Sequence, residues 1–100
     1  MNETPEQAAP ESAVHEITVL MFGIARALVD NPKSVSLVAI PDGESTILRL
    51  RVAPGDVGKV IGKQGRTARS MRTILSAASR KFNVRFALDI LEEGESESDS

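Results

Sequence analysis

Gly62-Lys63-Gln64-Gly65 is the stretch of this 100-residue sequence best equipped for chemistry. Two glycines stand three apart with a lysine between them. Glycine lets the backbone turn through angles other residues avoid, and it has no Cβ to hold off an approaching chain. The apolar spacing on either side predicts one helix before the loop and another after it. The second helix then points its N-terminal N–H groups at the loop, and such an end favours an anion through unpaired donors and through the helix dipole. Lys59, Lys63, Arg66 and Arg69 add full positive charges around it. From Val57 to Leu88 the sequence has eight basic residues and no acid. A phosphate backbone is the natural ligand for such a site.

Other chemistries fit less well. A nucleotide-binding P-loop needs four residues between its glycines and a Ser or Thr after the lysine. Here Gly58 and Gly62 enclose three, Gln64 follows Lys63, and the segment lies between helices. There is no cysteine, which excludes a zinc–cysteine site, an iron–sulfur cluster and a redox thiol. His15 stands alone and reads as a surface residue. No paired acids and no Ser/His arrangement suggest an enzyme. The expectation is a binding protein with no cofactor and no metal.

Charge is segregated along the chain. The net charge of −2 hides a stretch, residues 16–90, that holds all twelve basic residues and only six of the fourteen acids. The other eight acids lie near the two ends. A basic body suits a polyanionic partner. No apolar run approaches the roughly 18 residues of a membrane span, and the acidic start does not resemble a secretory signal. The expected setting is the cytoplasm, away from the membrane.

The elements that position the loop follow from periodicity. Residues 1–13, rich in Glu, Pro, Ala and Gln without apolar period, read as a disordered acidic arm. Residues 92–100, EEGESESDS, read as a disordered acidic tail. Between them, residues 14–91 form one domain. Ile17, Leu20, Met21, Ile24, Ala25 and Leu28 recur at helical spacing from about Val14 to Val29, and Asn31-Pro32 ends that helix. Strands at 34–40 and 45–52 flank a turn at Pro41-Asp42-Gly43-Glu44. Thr46, Leu48, Leu50 and Val52 face one way; Ile47, Arg49 and Arg51 face the other. Asp56 is the expected cap of a short helix carrying Val57, Val60 and Ile61. Thr67 is the expected cap of a longer one carrying Ala68, Met71, Ile74, Leu75, Ala78 and Phe82. A last strand at 83–90 buries Val84, Phe86, Leu88 and Ile90. The order α-β-β-α-α-β predicts an α+β domain: a three-stranded sheet with helices packed on one face.

Within that order, VGKVIGKQGRTARSMRTIL resembles the signature of the KH domain. ALVDNP and RVAPGDVGKV upstream are similar to one branch of it, the KhpA (YlqC) family of bacterial RNA-binding proteins. The likeness spans about residues 16–91 and implies the type II KH arrangement. It implies single-stranded RNA as the ligand, with the GxxG loop clamping about four nucleotides. Carried over, Gly62 and Gly65 give close access, and Lys63 and Gln64 contact phosphates or sugars. Arg66 and Arg69 flank the track, beside Lys59. Val57, Val60 and Ile61 build a hydrophobic groove. Arg49 and Arg51 either reach the RNA or belong to a solvated sheet face or a dimer contact.

The resemblance further implies an RNA chaperone partnered by a KhpB/Jag-type RNA-binding protein or by a second copy of the chain as a homodimer. It links that pair to post-transcriptional control, cell elongation (cell shape) and peptidoglycan homeostasis (cell wall biogenesis). The chain has no Tyr or Trp, and Phe22, Phe82 and Phe86 take core-like positions, so aromatic stacking is not the expected mode. The competing reading is a protein-interaction adaptor, with dimerisation as its task and RNA incidental.

Overall fold

Strand Ser45–Val52 (β2) fully buries Leu48, Leu50 and Val52 and turns Arg49 and Arg51 to the opposite face. This period of two makes one face of the sheet a core wall and leaves the other open. Ser36–Asp42 (β1) pairs with β2 antiparallel through the turn at Gly43-Glu44, and Arg85–Glu92 (β3) pairs with it parallel. The order is β1-β2-β3. A parallel pair needs a long crossover, and here two helices supply it: Val57–Ile61 (α2) and Arg66–Phe82 (α3). The first helix, Pro5–Leu28 (α1), lies against β1 and against α3, while α3 covers β3. The result is the expected α+β domain. The computed structural model describes residues 5–95.

The core lies between the sheet and the helices. Met21 and Ala25 of α1, Leu48, Leu50 and Val52 of β2, Val60 of α2, Met71 and Leu75 of α3, and Leu88 of β3 are among its buried members. Phe22, Phe82 and Phe86 pack against it, partly buried. Arg26 and Lys81 lie over the rings of Phe22 and Phe82. At the end of α3, Asn83 takes the left-handed conformation, a common helix stop, and the Val84 N–H donates to the Ser79 carbonyl at 3.2 Å. The Phe86 N–H donates to Ser79 Oγ at 3.1 Å. These bonds turn the chain from α3 into β3.

Several expected boundaries move. α1 starts at Pro5 instead of near Val14, so residues 5–13 of the expected arm are helical. Glu, Gln and Ala are strong helix formers, and Ala13, fully buried, anchors the extension. The expected strand and turn shift too: Pro41 and Asp42 pair with Thr46 and Ser45 inside the hairpin. β1 is an edge strand, where proline is tolerated. β3 runs on to Glu92, and Glu95 follows in a turn whose N–H reaches the Glu92 carbonyl. The parts of the expected arm and tail at residues 1–4 and 96–100 lie outside the described residues. Leu20, Leu28 and Ile74, counted in apolar stripes, are exposed, because each sits at the rim of its stripe or at a helix end.

Among the described residues no helix is long and apolar enough to cross a membrane.

Candidate functional site

The loop between α2 and α3 reverses the chain within four residues because three of them have positive φ. Gly62 stands at φ +83°, ψ 167°, Gln64 at +57°, 25° and Gly65 at +73°, 14°. The Gly65 N–H closes the turn on the Gly62 carbonyl at 3.0 Å. Gln64 pays a left-handed strain of about 1 kcal/mol for a residue with a Cβ. Its side-chain Oε1 accepts a hydrogen bond from Arg66 Nη2 at 2.8 Å, which holds that guanidinium beside the loop. Lys63 is exposed at the tip, and Arg69 is exposed one turn into α3.

Thr67 does not cap α3. The helix starts at Arg66, its N-cap is Gly65, and no side chain caps it. Thr67 instead packs against Gly62. A Cβ built on Gly62 would lie 2.7 Å from Thr67 Cβ and 2.8 Å from Thr67 N. No side chain caps this 17-residue helix; its first N–H, that of Arg66, closes on the Lys63 carbonyl, and its positive end faces the loop, where an anion is favoured.

Asp56 also departs from its expected capping role. It is 1 % exposed, and it makes no capping bond to α2. Its Oδ1 accepts from the Asp30 N–H at 3.2 Å, and Oδ2 accepts from the Asn31 N–H and Nδ2, each at 3.0 Å. The carboxylate thus ties the start of α2 to the corner after α1. Burial pushes its pKa up, but the Asn31 side chain, the Asp30 and Asn31 amides and the charge of Lys59 outweigh it. The net shift is below the ordinary value of 3.8. At the same corner Lys59 Nζ lies 3.4 Å from Asp30 Oδ2, so this expected ligand-binding cation is turned toward α1.

The remaining candidates separate. Val60 is fully buried in the core and cannot line a groove, whereas Val57 and Ile61 are half-buried. Arg49 lies 3.6 Å from Asp89 on the open sheet face, and Arg51 donates to the Glu95 carbonyl. Both point away from the helix layer that carries the loop. Arg72, which falls on the polar side of α3 with Arg66, Arg69 and Arg80 but is not among the expected site residues, donates from Nη2 to the Leu88 carbonyl of β3 at 2.9 Å. Its spacing of three from Arg69 was the available signal. Among the described residues no three His, Cys, Asp or Glu are placed to hold a metal ion.

The family model for the KH domain of KhpA and KhpB matches residues 20–90, from α1 to β3. The chain belongs to the KhpA/KhpB KH-domain family. Among its relatives is the RNA-binding protein KhpA of Treponema pallidum, 54 % identical over 73 residues, which are 73 % of this chain and 91 % of the relative. The RNA-binding protein KhpA of Aquifex aeolicus is 47 % identical over 81 residues, 81 % of this chain and 99 % of the relative. That of Chlamydia trachomatis is 43 % identical over 70 residues, 70 % of this chain and 90 % of the relative. No solved structure matches the chain at a significant level. The glycine-hinged loop at residues 62–65 lies inside the span that the family model matches.

Proposed function

We propose that this chain binds single-stranded RNA at the Gly62–Gly65 loop, as a binding module and not an enzyme. The observation that carries the reading is the glycine-hinged loop leading into the N-terminus of α3, an end without a side-chain cap, within an acid-free run of residues. Gly62 and Gly65 admit the strand, Lys63 and Gln64 contact its phosphates or sugars, and Arg66 and Arg69 flank it. Val57 and Ile61 offer aliphatic surface where aromatic stacking is lacking. Membership of a family whose relatives are named RNA-binding proteins supports the ligand class.

The test is a titration with unpaired oligoribonucleotides across salt concentrations. Neutralising about three phosphates gives a log–log slope near −2. Lys63→Gln should lower affinity about fivefold and bring the slope down by about 0.7. Salt-insensitive or absent binding would overturn the reading. Asp30→Asn should act in the opposite sense. It releases Lys59 while keeping the backbone N–H that Asp56 holds, so affinity should rise about twofold at low salt, where exposed charges matter most.

A site of this size binds weakly, so a second module is needed for useful affinity. A KhpB/Jag-type protein or a second copy of the chain fills that role in our reading, in the cytoplasm. An RNA-chaperone task in post-transcriptional control, cell elongation and peptidoglycan homeostasis completes it. The adaptor alternative draws on one observation: Val38 is 54 % exposed on the sheet, where a partner would cover it. Capture of a partner that survives Lys63→Gln unchanged, while RNA binding falls, would show the two functions to be separable.

A further inference from the structure

We propose that the strand held at Gly62–Gly65 continues along the flank of α3 into a second phosphate site built by Arg72, Ser76 and Arg80. The proposal rests on the RNA-binding reading above and extends its footprint.

An open cleft of about 420 Å³ begins at Gly65 and is lined by Arg69, Arg72, Thr73 and Ser76. The positions 65, 69, 72, 76 and 80 are spaced three or four apart, so they form one ridge on the helix. At 1.5 Å per residue the ridge runs about 16 Å from Gly65 to Ser76 and about 6 Å further to Arg80. The cleft therefore starts where the loop ends and leads away from it.

Its donors are held in place. Arg72 spends one N–H on the Leu88 carbonyl at 2.9 Å, which pins the guanidinium to the wall and leaves its other N–H groups for an anion. Ser76 Oγ accepts from Arg80 Nη1 at 3.4 Å, so the Ser76 hydroxyl proton remains available to donate. The Thr73 hydroxyl is committed to the Arg69 carbonyl at 3.0 Å and lines the cleft without donating into it. The sequence from Val57 to Leu88 has no acid, and among the described residues none lines the cleft. The donors spread along the helix and do not converge on one point. That arrangement suits the repeating oxygens of a phosphodiester strand better than a single free phosphate.

The test compares a tetranucleotide with an octanucleotide of uridylate on the full chain, with one chain per oligonucleotide confirmed by sedimentation. An octamer offers several registers to a four-nucleotide clamp, so a gain of roughly fivefold needs no second site. The salt slope is blind to that statistical gain. We expect about −2 for the tetramer and about −3.5 for the octamer, as two more phosphates are neutralised. Ser76→Ala with Arg80→Gln keeps good helix formers on an exposed face. It should cut the octamer slope by about 0.7 and its affinity about tenfold, with the tetramer within about twofold. An unchanged melting curve confirms the fold. Equal slopes for the two lengths, with the tetramer binding, overturn the second site alone. Failure of both lengths to bind overturns the RNA reading and this extension with it.

Discussion

Gly62→Ala should lower the melting temperature by roughly 15 °C and abolish RNA binding, whereas Gly65→Asn should cost only a few degrees. The two glycines of the loop look equivalent in sequence, but their constraints differ. Gly62 lies at φ +83°, ψ 167°, a region that essentially only glycine occupies. Its missing Cβ would also meet Thr67 Cβ at 2.7 Å and, more rigidly, Thr67 N at 2.8 Å. Backbone strain of about 1–3 kcal/mol adds to an overlap of about 1–3 kcal/mol. Against a total stability of about 5–15 kcal/mol that is a large share. Gly65 lies at φ +73°, ψ 14°, a left-handed position that asparagine tolerates, and nothing stands within 4 Å of its added Cβ. Thermal unfolding followed by circular dichroism would decide the matter. Equal losses at the two positions would contradict the account. Thr67→Ala in the Gly62→Ala background should recover little, because the Thr67 backbone and Cβ remain.

How much of this was legible in the sequence depends on the range of the interaction. The hairpin and β3 announce themselves by alternation: Leu48, Leu50 and Leu88 fall inward on a period of two, and burial follows it. The loop was legible because IGKQG interrupts a helical pattern with two glycines and a cation. What escaped depends on partners far along the chain. Asp56 precedes a helix, so local rules make it a cap, yet its carboxylate is taken by residues 25 and 26 positions away. Thr67 follows the same logic, yet α3 begins at Arg66 with Gly65 in the cap position, so Thr67 stands inside the first turn and lies against Gly62. Val60 shares a helical stripe with Val57 and Ile61, but a five-residue helix wedged between α1, α3 and β3 has no single wet face. Arg49 and Arg51 alternate with core leucines, which fixes their face but not their partners. Those partners are Asp89 on the neighbouring strand and the chain beyond β3.

Asp56→Ala should lower the melting temperature by roughly 10 °C and loosen the hold of the α2–α3 loop on RNA. Three donors converge on this one carboxylate: the Asp30 N–H, the Asn31 N–H and Asn31 Nδ2. Alanine leaves all three without an acceptor in a partly buried corner, where unmade bonds cost more than made ones return. Asp56→Asn keeps the shape but not the chemistry. One of its two terminal atoms becomes a donor that faces a donor, so it should recover part of the loss and no more. The titration behaviour separates the charge from the shape. Because the folded-state pKa lies below the ordinary 3.8, the native state takes up its proton less readily than the unfolded chain. The stabilisation is complete above the ordinary value and drains away as pH falls through the lowered one. The wild-type chain should therefore lose stability more steeply than Asp56→Asn as the pH drops below about 4. Denaturant melts of both proteins over that range would show it. Parallel pH profiles would mean that the corner is held by its packing, and that the carboxylate charge contributes nothing to the placement of α2.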